Sequence, residues 1–171
     1  MSLKSWKIWI VSICALIVTA GGTGVYALYR NLNTEWSYEY QAAQVALNHS
    51  PISHISSHST FTDISSQEIF AGEDVFGREW YAFVSGSPWV THSVLAAQVL
   101  PEARIRSLAE KQSVRPVNIS LGYLDDAQQR TFSVSNHVVW EVYGETKGQK
   151  YEYIYYDGTT GKQVWKYMLS T

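Results

Sequence analysis

The 171-residue sequence contains a single cysteine, Cys14, and only four prolines. Because a disulfide needs two thiols, no intramolecular disulfide is possible. The region after Arg30 also has no thiol that could act as a nucleophile or a metal ligand. Small eukaryotic secreted domains are often disulfide-stapled, so an exported domain without cysteine is more typical of a bacterial surface.

Basic charge is also scarce in this chain. From Asn31 onward there are ten Lys or Arg residues against fifteen Asp or Glu, a balance of −5. Proteins that bind phosphate backbones need clustered basic side chains. The composition therefore argues against a nucleic-acid partner.

Recognisable catalytic motifs are missing as well. There is no G-x-S-x-G sequence, and "VSGSP" (Val84–Pro88) does not have that spacing. A serine paired with His92 or His137 is conceivable, but nothing in the sequence selects one. We therefore expect a protein that is not an enzyme, with no cofactor and no small-molecule substrate.

The most metal-like feature is the series His49, His54 and His58. His54 and His58 are four residues apart and would share one face of a helix, as zinc ligands sometimes do. This segment is Ser-rich and follows Pro51, so we interpret the histidines as solvated loop residues and predict no metal site. The adjacent carboxylates Asp125 and Asp126 are interpreted as solvated turn charges.

Charge is absent between Lys7 and Arg30. The run Ile8–Tyr29 has twenty-two residues, and at about 1.5 Å per residue it would span a bilayer. Lys4 and Lys7 precede it, which predicts a cytoplasmic N-terminus (residues 1–7), a transmembrane signal anchor (8–29) and an extracellular remainder. The alternative is a cleaved signal peptide, with Val18 and Ala20 at the −3 and −1 positions.

The rest of the chain repeats one order of elements. Apolar spacing predicts a helix from Thr34 to about Asn48, and Pro101 begins a second helix that ends near Gln112. Each helix precedes strand-like segments, which we place at 60–71, 78–86, 89–100, 116–124, 133–145, 150–156 and 162–169. We therefore predict an α+β fold of two modules, 31–100 and 101–171, each with one helix packed on an antiparallel sheet.

Aromatic residues are concentrated near the C-terminus, with six in the seventeen positions of "YEYIYYDGTTGKQVWKY" (Tyr151–Tyr167). Alternate residues of a strand share a face, so Tyr151, Tyr153 and Tyr155 should lie together. They are either exposed, as rings at binding hot spots are, or cross-strand pairs that stabilise a small sheet. The predicted partner-binding residues are Trp140, Tyr143, Tyr151, Tyr153, Tyr155 and Trp165.

The segment "VVWEVYGETKGQKYEYIYYDGTTGKQVWKY" (Val138–Tyr167) resembles the PepSY-type modules of exported bacterial proteins, which have a cystatin-like shape. One N-terminal apolar segment, two such modules and a stop near residue 170 resemble the TseB-like, or YpmB-like, cell-wall elongation regulators of Gram-positive bacteria. The likeness covers most of the chain from Lys4 and is weak between His49 and Gly72.

That resemblance implies a non-enzymatic regulator outside the membrane, which binds a transpeptidase-type penicillin-binding protein of the elongation machinery. It assigns no catalytic residue and no contact surface. The alternative is a module that regulates or inhibits a protease in trans, because PepSY-type modules also occur in peptidase propeptides. A structural envelope protein without a defined enzyme partner is a third interpretation.

Overall fold

The computed structural model describes residues 19, 21–23, 26, 38–62, 64–86 and 88–169. The chain divides into two compact units, residues 1–41 and 42–171. Within the predicted span 8–29, the described positions 19, 21–23 and 26 are helical, and the other positions lie outside the described residues. None of the helices in the described part of the chain is long and apolar enough to cross a membrane.

The first sheet has four antiparallel strands in the order β1-β2-β3-β4. It follows helix α1, residues 38–49. The strands are β1 (His54–Phe61), β2 (Gln67–Glu73), β3 (Glu79–Ser85) and β4 (Val90–Leu95).

The second sheet also has four antiparallel strands, in the order β5-β6-β7-β8. Two helices accompany it, α2 (Glu102–Lys111) and α3 (Asp126–Phe132). The strands are β5 (Val114–Tyr123), β6 (Val138–Thr146), β7 (Tyr151–Asp157) and β8 (Gln163–Met168). The predicted α+β class with antiparallel sheets is confirmed.

The first sheet differs from the prediction at its start. The Ser/His-rich segment that we predicted as a loop forms strand β1, and the single strand predicted over 60–71 is replaced by parts of β1 and β2. Because β1 is a largely exposed edge strand, its outward positions tolerate polar residues, and its sequence shows no apolar alternation. His58 is held in this strand by Glu68, with His58 Nε2 2.6 Å from Glu68 Oε2.

Two hydrophobic clusters lie in the unit formed by residues 42–171. The smaller one covers one face of the first sheet, where Ala42 and Ala46 of α1 join Phe70, Ala82 and Val84. The larger one contains residues from both sheets and from α2. The predicted division into two modules, with the boundary between residues 100 and 101, stays a prediction. The two sheets lie on either side of that point in the sequence, but they share this larger cluster.

The two sheets are joined by a side-chain clamp. The amide of Gln67, at the start of β2, donates from Nε2 to the carbonyl oxygen of Tyr123 at 2.5 Å and accepts at Oε1 from the Tyr123 backbone N–H at 3.0 Å. Gln67 is buried, so these bonds form away from water and satisfy both its amide group and the Tyr123 backbone. Next to the clamp, the ring of Phe61 lies over Gly122.

Glycine is required at position 122 by this contact. A Cβ atom there would lie 2.8 to 2.9 Å from three carbons of the Phe61 ring, and Phe61 itself is fully buried. We expect Gly122→Ala to reduce the free energy of unfolding by about 1–3 kcal/mol through overpacking, measured by urea denaturation. Gly148→Ala is the matched control, because its nearest atom is 3.9 Å away. Equal stabilities of the two variants would contradict a requirement for glycine beneath the Phe61 ring.

Tyr123 is also sandwiched between two histidines. Its ring stacks on His92 of β4 at 4.2 Å and on His137 at 5.2 Å, with both pairs of rings within 8° of parallel. Burial lowers the pKa of His92, the nearby His137 lowers it further, and Asp126 partly opposes the shift. His92 is therefore held in its neutral form within the fold more strongly than in the unfolded chain.

This lowered pKa predicts a pH dependence of stability. Since the unfolded chain binds a proton at His92 more readily than the folded chain, the stabilisation is present above the ordinary pKa of 6.5 and is lost as the pH falls through the folded value. We expect His92→Phe, which keeps a ring against Tyr123, to lose less stability than wild type between about pH 7.5 and pH 5. Urea titrations at several pH values measure this, and parallel profiles for the two proteins would refute it.

Candidate functional site

Seven aromatic side chains pack together on one face of the second sheet, and we call this cluster the aromatic face. Its members are Phe132, Tyr143, Tyr151, Tyr153, Tyr155, Trp165 and Tyr167. Six of them come from strands β6, β7 and β8, and Phe132 comes from the end of α3.

The strand register explains why these rings share a face. Tyr153 pairs with Tyr143 on one side and with Tyr167 on the other, and Tyr155 pairs with Trp165. Residues directly opposite each other in antiparallel strands point to the same face of the sheet. Tyr151, Tyr153 and Tyr155 therefore lie on one face of the sheet, as strand alternation predicted.

Neighbouring rings of the aromatic face are in contact. Ring centroids are 4.9 Å apart for Tyr143 and Tyr153, 5.0 Å for Tyr153 and Tyr167, and 5.3 Å for Tyr143 and Tyr151. Aromatic pairs in this distance range contribute about 0.5–1.5 kcal/mol each beyond the area that they bury. The aromatic face is consequently a stiff surface whose side chains hold one another in place.

Five of the six predicted partner-binding residues belong to the aromatic face, and Trp140 does not. Trp140 lies on the opposite face of β6, is buried, and donates from Nε1 to the carbonyl oxygen of Leu100 at 2.9 Å. Tyr155 lies on the aromatic face, yet it has no exposed surface. Burial leaves neither Trp140 nor Tyr155 accessible to a partner, and both are core residues.

Helix α3 is the element that covers Tyr155, and the sequence analysis missed it. Phe132 packs against Tyr155 with the ring centroids 6.4 Å apart, and against Trp165 at 5.4 Å. The helix begins at a capping box, in which the Asp125 side chain accepts from backbone N–H groups and Gln128 bonds back to the Asp125 N–H. The pattern D-x-x-Q was the available signal, since it is typical of a helix N-terminus. Asp125 is thus a helix cap rather than a turn charge.

The accessible part of the aromatic face lies toward β8 and the start of β7. Trp165 is 45% exposed and Tyr151 is 38% exposed. Tyr143, Tyr153 and Tyr167 are half-buried between them. Tyr167 and Phe132 were absent from our predicted set, although strand parity would have added Tyr167.

A buried carboxyl group, that of Glu141, lies on the same face of the sheet and directly opposite Tyr155. The hydroxyl of Tyr155 donates to Glu141 Oε2 at 3.1 Å, and Glu141 is buried in the sheet. A buried carboxylate is stable only when hydrogen bonds replace its lost hydration. Tyr155 therefore stabilises both the ring cluster and this buried carboxyl group.

Removal of one hydroxyl tests that role. We expect Tyr155→Phe to lower the free energy of unfolding by about 1–3 kcal/mol, because the buried carboxyl oxygen of Glu141 loses a donor while the ring is kept. Tyr151→Phe is the control, since its exposed hydroxyl should contribute less than about 0.5 kcal/mol. Thermal or urea unfolding of the two variants gives the comparison. A destabilisation as small for Tyr155→Phe as for Tyr151→Phe would show that Glu141 is satisfied without the hydroxyl.

Charged side chains lie at the border of the aromatic face and on the other side of the sheet. Arg115 forms an ion pair with Glu145, and the hydrogen bond from this pair raises the pKa of Arg115. On the opposite face Lys166 Nζ lies 2.7 Å from the buried Oε1 of Glu152, an electrostatic contact without hydrogen-bond geometry. Burial, with a smaller effect of Glu152, raises the pKa of Tyr156 on that face to about 12. The ion pair of Arg115 and Glu145 thus lies beside Tyr151, because Glu145 is directly opposite Tyr151 in the sheet.

Among the described residues, no group of three or more His, Cys, Asp or Glu side chains is placed to hold a metal ion. His54 and His58 lie on strand β1, so the helical i, i+4 geometry of a zinc pair does not apply to them. The geometry of the aromatic face suits contact with another molecule.

Comparison with known proteins gives one structural relative. No protein-family profile matches the chain, and no curated protein matches it. The solved structure of the YpmB protein from Bacillus subtilis is similar, with a TM-score of 0.60 and 20% identity over 76% of this chain and 96% of that chain. At this identity the likeness shows the fold alone. The chain has a YpmB-like fold.

Proposed function

We propose that this chain is a non-enzymatic binding protein whose aromatic face holds a protein partner. The observation that carries the proposal is the exposure of Trp165 and Tyr151 at the edge of a packed ring cluster. Trp and Tyr are enriched at binding hot spots, and a preorganised surface loses little side-chain entropy on binding. We keep Tyr143, Tyr151, Tyr153 and Trp165 as the partner-binding residues.

The arrangement of the rings favours a protein over a nucleic acid. Tyr143 and Tyr151 are within 16° of parallel, and Tyr153 and Tyr167 are within 14°. Rings stacked on one another present edges and hydroxyl groups outward, whereas a base needs an open ring face. The acidic balance of the chain after Arg30 argues in the same direction.

The partner that we propose is a transpeptidase-type penicillin-binding protein of the cell-wall elongation machinery. The YpmB-like fold supports this proposal, as does the sequence resemblance to the TseB-like regulators. In this proposal residues 8–29 anchor the chain in the membrane, the N-terminus is cytoplasmic, and the residues that follow lie outside the cell. The chain would then hold or regulate a wall-synthesis enzyme at the membrane surface.

A double variant of the exposed rings tests the proposal. The tagged full-length chain is recovered from gently crosslinked membranes, and captured proteins are labelled with fluorescent penicillin. We expect Tyr151→Ser with Trp165→Ser to reduce the labelled band about thirty-fold or more, the loss typical of a hot-spot truncation. The thermal midpoint should fall, because Tyr151 packs against Tyr143 and Trp165 packs against Phe132, Tyr155 and Tyr167. The capture is therefore carried out at a temperature at which the variant is still folded.

The matched control is Val90→Ser with Val117→Ser, because these valines are exposed apolar residues on β4 and β5. It should leave the labelled band unchanged. A band of equal strength from the double aromatic variant would remove the aromatic face from the proposal. If the wild-type chain captures no labelled protein beyond its membrane segment fused to an unrelated domain, the proposed partner is wrong. Inhibition of secreted proteases by the chain would then favour the alternative function.

A further inference from the structure

The turn between β2 and β3 presents the two most exposed large apolar side chains among the described residues. Phe76 is 80% exposed and Val75 is 77% exposed. They are adjacent, and they lie at the tip of a hairpin formed by Glu73–Glu79. We call this segment the hairpin tip. Single exposed apolar residues are ordinary on a protein surface, whereas contiguous exposed apolar surface is typical of interaction sites.

The hairpin tip is rigid. The carboxylate of Asp74 accepts four hydrogen bonds: from the backbone N–H groups of Phe76 at 2.9 Å and Arg78 at 3.0 Å, from Arg78 Nε at 2.7 Å, and from Trp80 Nε1 at 3.1 Å. Gly77 has a φ of 74°, a conformation that glycine adopts without strain. The apolar pair is therefore held in one position before any partner arrives.

The charges around the tip are unbalanced. Arg78 is paired with Asp74, and its guanidinium lies 5.4 Å from the centre of the Phe76 ring. Glu73 and Glu79 are directly opposite each other on β2 and β3, and both are exposed. Like charges in this position destabilise a sheet. The two carboxylates thus flank the apolar tip at a cost in stability that a cationic partner would relieve.

We infer that the hairpin tip is a second docking element, which inserts Phe76 and Val75 into an apolar pocket bordered by basic side chains on the partner protein. This inference rests on the proposed function, because the partner is the same penicillin-binding protein that contacts the aromatic face. A membrane is the less favourable occupant, since anionic headgroups repel Glu73 and Glu79.

Site-specific photo-crosslinking in intact membranes tests the contact. A photoreactive phenylalanine analogue replaces Phe76 in the full-length chain, or Tyr151 on the aromatic face, or the exposed Val117 as the control position. After irradiation, adducts of the tagged chain are labelled with fluorescent penicillin. We expect labelled adducts from positions 76 and 151 and none from position 117.

Charge variants test the chemistry of the pocket. Glu79→Gln should lower the yield of the labelled adduct at position 151 about two- to five-fold, as expected for one ion pair at the border of an interface. Its thermal midpoint should be equal to wild type or higher, because a repulsion between strands is removed. Phe76→Ser should lower the same yield about thirty-fold. Glu110→Gln, an exposed carboxylate on α2, is the matched control and should change neither quantity.

The outcomes separate this inference from the proposed function. A labelled adduct at position 151 with none at position 76 overturns the docking role of the tip and leaves the proposed function standing. An adduct with lipid at position 76 overturns the inference in favour of a membrane contact. If penicillin does not label the adducts, or if neither position gives an adduct, both the inference and the proposed function are overturned. An undiminished yield with Phe76→Ser or Glu79→Gln also overturns the docking role.

Discussion

The two hydrogen bonds between the Gln67 side-chain amide and the Tyr123 backbone are the interaction on which the rest of the architecture depends. They connect the start of β2 to the end of β5, so they place the two sheets in one relative position. The packing of Phe61 over Gly122 and the stacking of His92 on Tyr123 both require that position. The large hydrophobic cluster can then include residues from both sheets, and neither sheet alone buries that much apolar surface.

The second sheet uses its two faces differently. One face packs Trp140 and Ile154 into the large cluster with α2, and the buried Tyr155 of the opposite face belongs to the same cluster. The other carries the ring cluster, of which α3 covers only the part near Tyr155. A helix of seven residues is too short to cover a four-stranded sheet. The uncovered rings near Trp165 and Tyr151 are therefore a consequence of helix length, and the proposed contact surface lies there.

Much of the fold could be predicted from local patterns. The helix beginning after Pro101 and the strand parity of Tyr151 and Tyr153 were correct, since both depend on spacing along the chain. The errors lie where local patterns carry little information. Strand β1 shows no alternation because it is an exposed edge, and α3 is too short to show a helical repeat. Its capping box was visible in the sequence, but a cap without an apolar stripe is a weak signal.

The sequence by itself determined the class of the fold, the antiparallel strands of the second sheet, and which residues of a strand share a face, because side-chain alternation follows from backbone geometry. It could not determine which rings are exposed. Tyr151 and Tyr155 have the same parity and the same chemistry, yet one is exposed and the other is buried beneath Phe132. Only the tertiary structure decided this, because burial depends on which distant element packs over a side chain.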